Sequence, residues 1–175
     1  NRLDRDTSGL VLLAKNPYSS CVLSDAVKDH TIHREYAAIV SGKTDASGTI
    51  DLPIARKDGS TIERVCDPER GETAVTHYRT FAYNKDADIS FIRLLLETGR
   101  THQIRVHMKA IGHPLPGDFL YCPDYRFIDR QPLHSTYLRF SHPVTGEKLE
   151  FSASLPEDMR KLFPDIKNPS GPVFF

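Results

Sequence analysis

The sequence predicts an α+β domain, a mainly antiparallel mixed sheet with a few helices packed on it. Three observations lead to this class: predicted strands outnumber predicted helices, the connections are mostly short, and 175 residues suffice for about one domain. Hydrophobic residues make up 39% and charged residues 26% of the chain, as in ordinary globular proteins. No apolar stretch approaches the roughly 20 residues of a membrane span, so no membrane partner is expected.

The first half of the chain contains most of the predicted strands. Residues 10–14 form a short apolar run that predicts a buried strand. Asn16 and Pro17 predict a helix start, because asparagine caps helices and proline favours the first helical position; this helix should end near Asp29. Further strands are predicted over residues 31–40, 49–54, 74–82 and 91–97.

The second half contains the most clearly amphipathic helix. It is predicted over residues 101–111, with Thr101 as its cap and with Ile104, Met108 and Ile111 on its core-facing side. No internal repeat or domain boundary is evident in the sequence. Two antiparallel strands are predicted over residues 133–140 and 148–154. A short helix is predicted from residue 156 onward.

Charge is balanced over the whole chain but not along it. Lysine plus arginine and aspartate plus glutamate number 23 each, so the net charge alone predicts no nucleic-acid partner. Residues 98–117 contain no acid, yet they include Arg100, Arg105 and Lys109 together with three histidines. This basic stretch predicts a local anion-binding surface, and the alternative is a solvated basic helix face.

The three cysteines, Cys21, Cys66 and Cys122, lie far apart and form no CxxC pair. The odd number and the wide spacing argue against a disulfide framework and against a zinc site. They favour a reducing, cytoplasmic setting. The histidines show no HExxH arrangement either, so no metal is expected.

The segment RLDRDTSGL, residues 2–10, places two acids and two arginines in a turn before an apolar run. By itself this is typical of a turn whose Asp6 and Thr7 side chains bond the local backbone. With the Ala-Lys that follows, however, the segment resembles the catalytic motif of the RluA branch of pseudouridine synthases. The resemblance continues in order through residues 34–42 (REYAAIVSG), 73–78, 95–118 (with TGRTHQIRVH), 133–134 and 142–147. It therefore extends from residue 1 to about residue 162.

This resemblance implies an isomerase that converts uridine to pseudouridine within ribosomal or transfer RNA, without a cofactor. Carried over residue by residue, it makes Asp4 the nucleophile, Arg105 its partner and Tyr36 the residue against the target base. It implies that Arg2 holds the RNA open around a flipped nucleotide. From the basic stretch we add Arg100, His102 and Lys109 as predicted RNA contacts.

These residue types suit the reaction that the resemblance implies. In this reaction uracil must leave C1′ of its ribose, turn, and rejoin through C5. An ionised carboxylate such as Asp4 can start the reaction by attacking either the base or the sugar. An arginine fork orients such a carboxylate and favours its charged form. Tyr36 can stack on uracil or accept the C5 proton. Because a stacked base is unreachable, base flipping is expected.

Two other residues receive structural interpretations. Asp118 is interpreted as a cap or turn acid and His134 as a packed side chain. The family resemblance further implies a catalytic domain over residues 1–163, and we expect residues 164–175 to form a loose C-terminal tail. The domain is expected to be N-terminally truncated, since family members carry strands ahead of the catalytic motif. We expect a monomer.

Two alternative functions remain open at this point. Residues 4–7 (DRDT) imitate the nucleophile motif of haloacid-dehalogenase-type phosphatases, but that motif belongs after a buried strand, whereas here the apolar run follows it. The second alternative is a non-catalytic RNA-binding fragment of the same fold. Retention of Asp4, Tyr36 and Arg105 together argues against a decayed site.

Overall fold

The computed structural model describes residues 2–166 and 171–174, which form nine strands and three helices. In chain order these are β1 (Ser8–Gly9), α1 (Pro17–Lys28), β2 (His33–Ser41), β3 (Ser47–Asp51), β4 (Ile54–Arg56), β5 (Arg64–Cys66), β6 (Val75–Asn84), β7 (Ile89–Leu96), α2 (Gln103–Ala110), β8 (Leu133–Ser141), β9 (Lys148–Ser152) and α3 (Glu157–Leu162). No helix of this described part is long and apolar enough to cross a membrane.

Seven of the described strands form one sheet in the order β1-β8-β2-β7-β6-β3, with β9 also paired to β8. Only the β1–β8 pair is parallel within these described residues, and the other pairs of the sheet are antiparallel. The strands β4 and β5 form a separate two-stranded sheet. The predicted α+β class with a mainly antiparallel sheet is therefore confirmed.

The central strand β2 separates two hydrophobic clusters. Its even-numbered apolar residues face α2, and its odd-numbered ones face α3, because successive side chains of a strand point to opposite faces. Both faces are covered, so seven consecutive residues of β2 are buried. The predicted core face of α2 is confirmed for Ile104 and Met108, which are buried in the first cluster, while Ile111 packs against that cluster from its edge. The sheet thus presents Tyr36 and α2 on one side.

The predicted buried strand at residues 10–14 is wrong. The backbone amide of Leu10 donates the last bond to Ser135 of β8, and from Tyr137 onward the same edge of β8 is occupied by β9. The segment therefore leaves the sheet. Leu10 and Leu12 pack against α1, whereas Val11 is exposed and Leu13 is 77% exposed.

The start of α2 also differs from the prediction. Thr101 does not cap it; the helix begins at Gln103, after His102 in the left-handed region with φ 58°. The side-chain oxygen of Gln103 accepts the amide of Arg100 at 2.9 Å and the Thr98 hydroxyl at 2.8 Å. Gln103 folds back over the turn and so satisfies the polar groups that a cap residue would otherwise satisfy.

The expectation of a loose tail is wrong for its described part. Ile166 packs against the α3-side cluster, and the amides of Val173 and Phe174 donate to the buried carboxylate of Glu35. Residues 167–170 and 175 lie outside the described residues.

The predicted capped start of α1 is confirmed, since the Asn16 side chain accepts the amide of Ser19 at 2.8 Å.

Candidate active site

Asp4 lies in the turn that precedes β1, and two side chains from the segment before β8 fix this turn. Gln131 donates from its amide nitrogen to the carbonyl of Arg5, and Arg130 donates to the carbonyl of Asp6 at 3.0 Å. Asp6 itself adopts φ 68°, the left-handed conformation that closes the turn. The turn leaves the Asp4 carboxylate 24% exposed at the edge of a cleft, while the Asp6 carboxylate accepts a hydrogen bond from its neighbour Arg5.

The buried guanidinium of Arg105 joins Asp4 to a second carboxylate. Its Nη1 donates to Oδ2 of Asp4 at 3.1 Å, and its Nε and Nη2 donate to the two carboxylate oxygens of Asp118 at 2.6 and 2.7 Å. Burial alone lowers the pKa of Arg105, but the hydrogen bonds and charges of Asp118 and Asp4 outweigh it, so the pKa is raised. The cation that faces Asp4 is therefore permanent and held in one orientation.

Asp118 is more than the turn acid that its sequence context indicates. It is fully buried, and Oδ1 accepts the amides of Leu120 and Tyr121 as well as the Arg105 bond. The same turn places the ring of Tyr121 5.0 Å from the guanidinium carbon of Arg105. The turn interpretation is correct, but Asp118 also orients Arg105.

Tyr36 lies on β2, with its ring in the α2-side cluster and its side chain lining the same cleft as Asp4 and Arg105. Burial raises the pKa of Tyr36, and the charge of Asp4 acts in the same direction. Arg34 and a hydrogen bond with Ser135 offset this only in part. The side chain is therefore a neutral phenol near neutral pH.

Two of the predicted RNA contacts lie at this cleft with bonds of their own. Arg100 donates to the Glu72 carboxylate and to the Thr73 carbonyl. His102 is hydrogen-bonded through Nδ1 to the hydroxyl of Tyr121 at 2.8 Å. Burial and the charge of Arg105 lower the pKa of His102, so its ring offers a hydrogen bond rather than a positive charge near neutral pH.

The other two predicted contacts are solvent-exposed. Arg2 is exposed at the mouth of the cleft. Lys109 lies on the outer side of α2, its Nζ 5.5 Å from the centre of the Tyr121 ring, and it does not line the cleft. The predicted basic stretch is therefore not one continuous surface, because Arg105 and His107 within it are buried.

Two residues that shape this cleft were not predicted as site residues from the sequence. One is Asp118 as the partner of Arg105, for which the sequence carries no local signal, since the two residues meet only through a turn. The other is Arg34, which lines the cleft beside Tyr36. A signal for Arg34 was present: it is two residues before Tyr36 on a strand, which places both side chains on one face.

Known proteins with similar sequences indicate the family of this chain. Residues 1–110 match a family model described as RNA pseudouridylate synthase. The chain is 50% identical over 162 residues to an uncharacterized RNA pseudouridine synthase of Bacillus subtilis, YjbO, covering 92% of this chain and 56% of that protein. It is 42% identical over 176 residues to ribosomal large subunit pseudouridine synthase D of Zymomonas mobilis, covering 93% of this chain and 54% of that protein.

A solved structure shares the fold. Human RNA pseudouridylate synthase domain containing 1 matches with a TM-score of 0.76 and 28% identity, covering 87% of this chain and 66% of that one. The chain thus spans about half the length of the curated relatives it matches. With a family model matching residues 1–110, more than half of the chain, and site geometry of the kind that the sequence motifs predict, the chain belongs to the RNA pseudouridylate synthase family.

Proposed function

We propose that residues 1–163 are the catalytic domain of an RNA pseudouridine synthase and that residues 164–175 are its C-terminal tail. The observation that carries this proposal is the contact of the Asp4 carboxylate with a buried arginine in a cleft that Tyr36 also lines. In this proposal Asp4 is the nucleophile, Arg105 its positioning partner and Tyr36 the base-contacting residue.

Asp4 must be ionised and correctly oriented to attack. Arg105 meets both needs, since it is a permanent cation 3.1 Å from one carboxylate oxygen and is itself fixed by Asp118. The bond to Arg105 engages Oδ2 of Asp4 and leaves the other oxygen for the substrate. The reaction breaks the N1–C1′ bond, forms a C5–C1′ bond, and moves one proton from C5 while N1 gains one, so the product is an isomer.

Tyr36 has two roles in this proposal, and the geometry favours one of them. A raised pKa keeps the hydroxyl protonated, so a phenolate base is disfavoured. The ring is held by the α2-side cluster and borders the cleft, so it is suited to contact a uracil that enters there. We therefore assign Tyr36 primarily to holding the detached base while it turns.

The substrate proposal follows from the relatives and from charge. Several relatives are named ribosomal large subunit pseudouridine synthases, so we propose large-subunit ribosomal RNA first and transfer RNA second. The target uridine flips into the cleft. Arg2, at the mouth of the cleft, holds the RNA open around the flipped nucleotide. Arg100, Lys109 and His102 add phosphate or hydrogen-bond contacts. We propose no cofactor, a monomer, and a cytoplasmic location, which suits three cysteines that are all free thiols.

The experiment is a comparison of pseudouridine maps. Ribosomal and transfer RNA from cells that lack the full-length gene should lose pseudouridine at one or a few positions. A plasmid copy of the wild-type gene should restore those positions, and an Asp4→Asn copy should not. Maps that are identical with and without the gene, or restored by both copies, would overturn the proposal in favour of an RNA-binding role.

A further inference from the structure

Arg34 is a buried arginine at the floor of the proposed active site. It lies on β2 two residues before Tyr36, so both side chains project from the same face of the sheet. Its side chain lines the cleft together with Asp4 and Arg105, although the residue as a whole is only 8% exposed. The guanidinium thus borders the space that a flipped nucleotide would enter.

No partner neutralises this guanidinium within residues 2–166 and 171–174. Its buried Nε has no hydrogen-bond partner, and none of the carboxylates described forms an ion pair with it. The two acids that border the same space are engaged elsewhere, Asp4 with Arg105 and Glu97 with His77. A guanidinium that is mostly removed from water and has no carboxylate partner is stabilised by an anion, so this side chain is suited to binding one.

Two other buried arginines of this sheet and helix make the contrast clear. Arg93 on β7 is fully buried and donates to the carboxylate of Glu35 at 2.7 Å. Arg105 on α2 is paired with Asp118 and Asp4. Arg34 alone of these three lacks a carboxylate, although it lies one residue from Glu35, which points to the opposite face.

Gly99 keeps the end of the guanidinium uncrowded. A Cβ atom at residue 99 would lie 3.3 Å from both Nη1 and Nη2 of Arg34, closer than side-chain carbons ordinarily approach. Arg2 and Arg100 border the same opening and add positive potential. An approaching anion therefore first meets the exposed Arg2 and Arg100, the latter paired with Glu72, and then the fork of Arg34.

We infer that Arg34 binds a backbone phosphate of the RNA next to the flipped uridine. This inference rests on the proposed function, because it takes the cleft to be the place where the uridine enters. The planar guanidinium matches the geometry of phosphate oxygens, and a phosphate supplies the full negative charge that the neutral uracil and ribose lack. The contact anchors the nucleotide while Asp4 and Tyr36 act on its base.

The test is a double-mutant cycle between Arg34 and single phosphates. The probe is a synthetic stem-loop RNA with one loop uridine, taken from the position that pseudouridine mapping identifies. If mapping identifies none, it is the ribosomal stem-loop that the wild-type protein binds most tightly. Each phosphate flanking the uridine is replaced in turn by an uncharged methylphosphonate. The full-length wild-type protein should lose about 10- to 100-fold in affinity at one position.

The Arg34→Met protein should bind the unmodified RNA as weakly as the wild type binds the RNA with the critical methylphosphonate. Its affinity should not fall further when that same phosphate is replaced. Arg34→Lys, which keeps the charge without the fork, should recover part of the affinity and serves as a second variant if Arg34→Met does not fold. Affinity that depends on no flanking phosphate, or equal losses for wild type and Arg34→Met at every phosphate, overturns the inference.

Stability and free phosphate supply the controls. Arg34→Met should unfold at the wild-type temperature or higher, since it removes an unpaired buried charge, whereas Arg93→Met should unfold at a lower temperature because it strands Glu35. If inorganic phosphate binds the wild type but not Arg34→Met while RNA binding ignores every methylphosphonate, Arg34 is an anion site without a role in RNA binding. A coupled phosphate without any pseudouridine formation would instead refute the proposed function and leave the RNA contact standing.

Discussion

Arg105 is held between two carboxylates of unequal exposure, with Asp118 fully buried behind it and Asp4 at the cleft in front. The two bonds to Asp118 are shorter than the one to Asp4, so the guanidinium is anchored from behind. This arrangement lets Asp4 change its bonding during a reaction without releasing Arg105. At the scale of single residues, the site is a fixed cation with one exchangeable partner.

Replacing the proposed nucleophile should abolish turnover. Asp4→Ala in the full-length protein is expected to reduce activity by on the order of 10⁴-fold or more, the scale seen when a nucleophile is lost. The matched control is Asp6→Ala, two residues away in the same turn, whose carboxylate bonds Arg5 and should matter far less. Tritium release from RNA labelled at C5 of uridine measures both, and the reverse ranking would identify Asp6 as the nucleophile.

Asp118→Asn tests the anchor behind Arg105. The amide keeps the shape of the side chain but loses its charge, so Arg105 should lose orientation and the buried cation should lose its main partner. We expect kcat to fall by more than KM rises, and the free energy of unfolding to fall by about 3 kcal/mol. Denaturant unfolding and steady-state kinetics measure the two effects. Asp124→Asn, at an exposed ion pair with Arg126, is the control and should change neither.

At the scale of elements, α2 connects the site with the core. Ile104 and Met108 pack into the α2-side cluster, Arg105 reaches Asp4, and His107 bonds the Thr76 hydroxyl of β6 at 2.9 Å. The Nε2 of His107 donates to the Leu52 carbonyl at 2.9 Å. Because six consecutive residues of α2 are buried, the helix has little freedom to shift and Arg105 is positioned by the whole element.

These buried contacts predict a loss of stability in mild acid. Burial lowers the pKa values of His107, His102 and His134, so each binds a proton more readily in the unfolded chain than in the folded one. Their stabilising effect is therefore complete above about pH 6.5, the ordinary histidine pKa, and is lost as pH falls through the lower folded values. Denaturant unfolding between pH 7.5 and 5 should show this decline, and His107→Gln should make it shallower. An unchanged slope in that variant would exclude His107 as a contributor.

The elements themselves were largely predictable, and their edges were not. The cap of α1, the core face of α2 and the β8–β9 pair follow local rules of capping, periodicity and turns. Residues 10–14 have the composition of a buried strand, but β9 takes the edge of β8 that such a strand would need. Likewise, Gln103 and not Thr101 accepts the backbone amide of Arg100 at the start of α2. This could not be predicted, because the sequence does not specify the path of the loop before the helix.

At the scale of the whole molecule, the site residues were predictable only where a motif carried them. Asp4, Tyr36 and Arg105 belong to segments with a recognisable family pattern, and the structure brings all three to one cleft. Their roles stay predictions. The strand spacing could have placed Arg34 beside Tyr36, but its lack of a carboxylate partner depends on side chains far away in sequence. The pairing of Asp118 with Arg105 likewise depends on a turn whose path the sequence does not specify.

The RNA-docking surface can be tested by salt titration. Lys109→Ala should reduce the slope of log affinity against log salt by somewhat under one unit, since each lost phosphate contact releases about one fewer counterion. Arg105→Ala should instead damage turnover far more than binding, because its partners are carboxylates. The control is Lys148→Ala. Lys148 is an exposed residue of β9 that lies opposite Ser141, at the end of β8 away from the site. An unchanged slope for Lys109→Ala would mean that this side of α2 faces solvent in the complex.

The turn that holds Asp4 has a consequence for how the molecule folds. Its anchor Gln131 is 126 residues away from Arg5 along the chain. Closing a loop of that size costs about 2 kcal/mol more entropy than closing a ten-residue loop. During synthesis the residues around Asp4 are made before β8, so this turn cannot be completed until the chain has been made as far as Gln131. The position of the proposed nucleophile therefore depends on a contact between distant parts of the chain, and contacts of this kind slow folding.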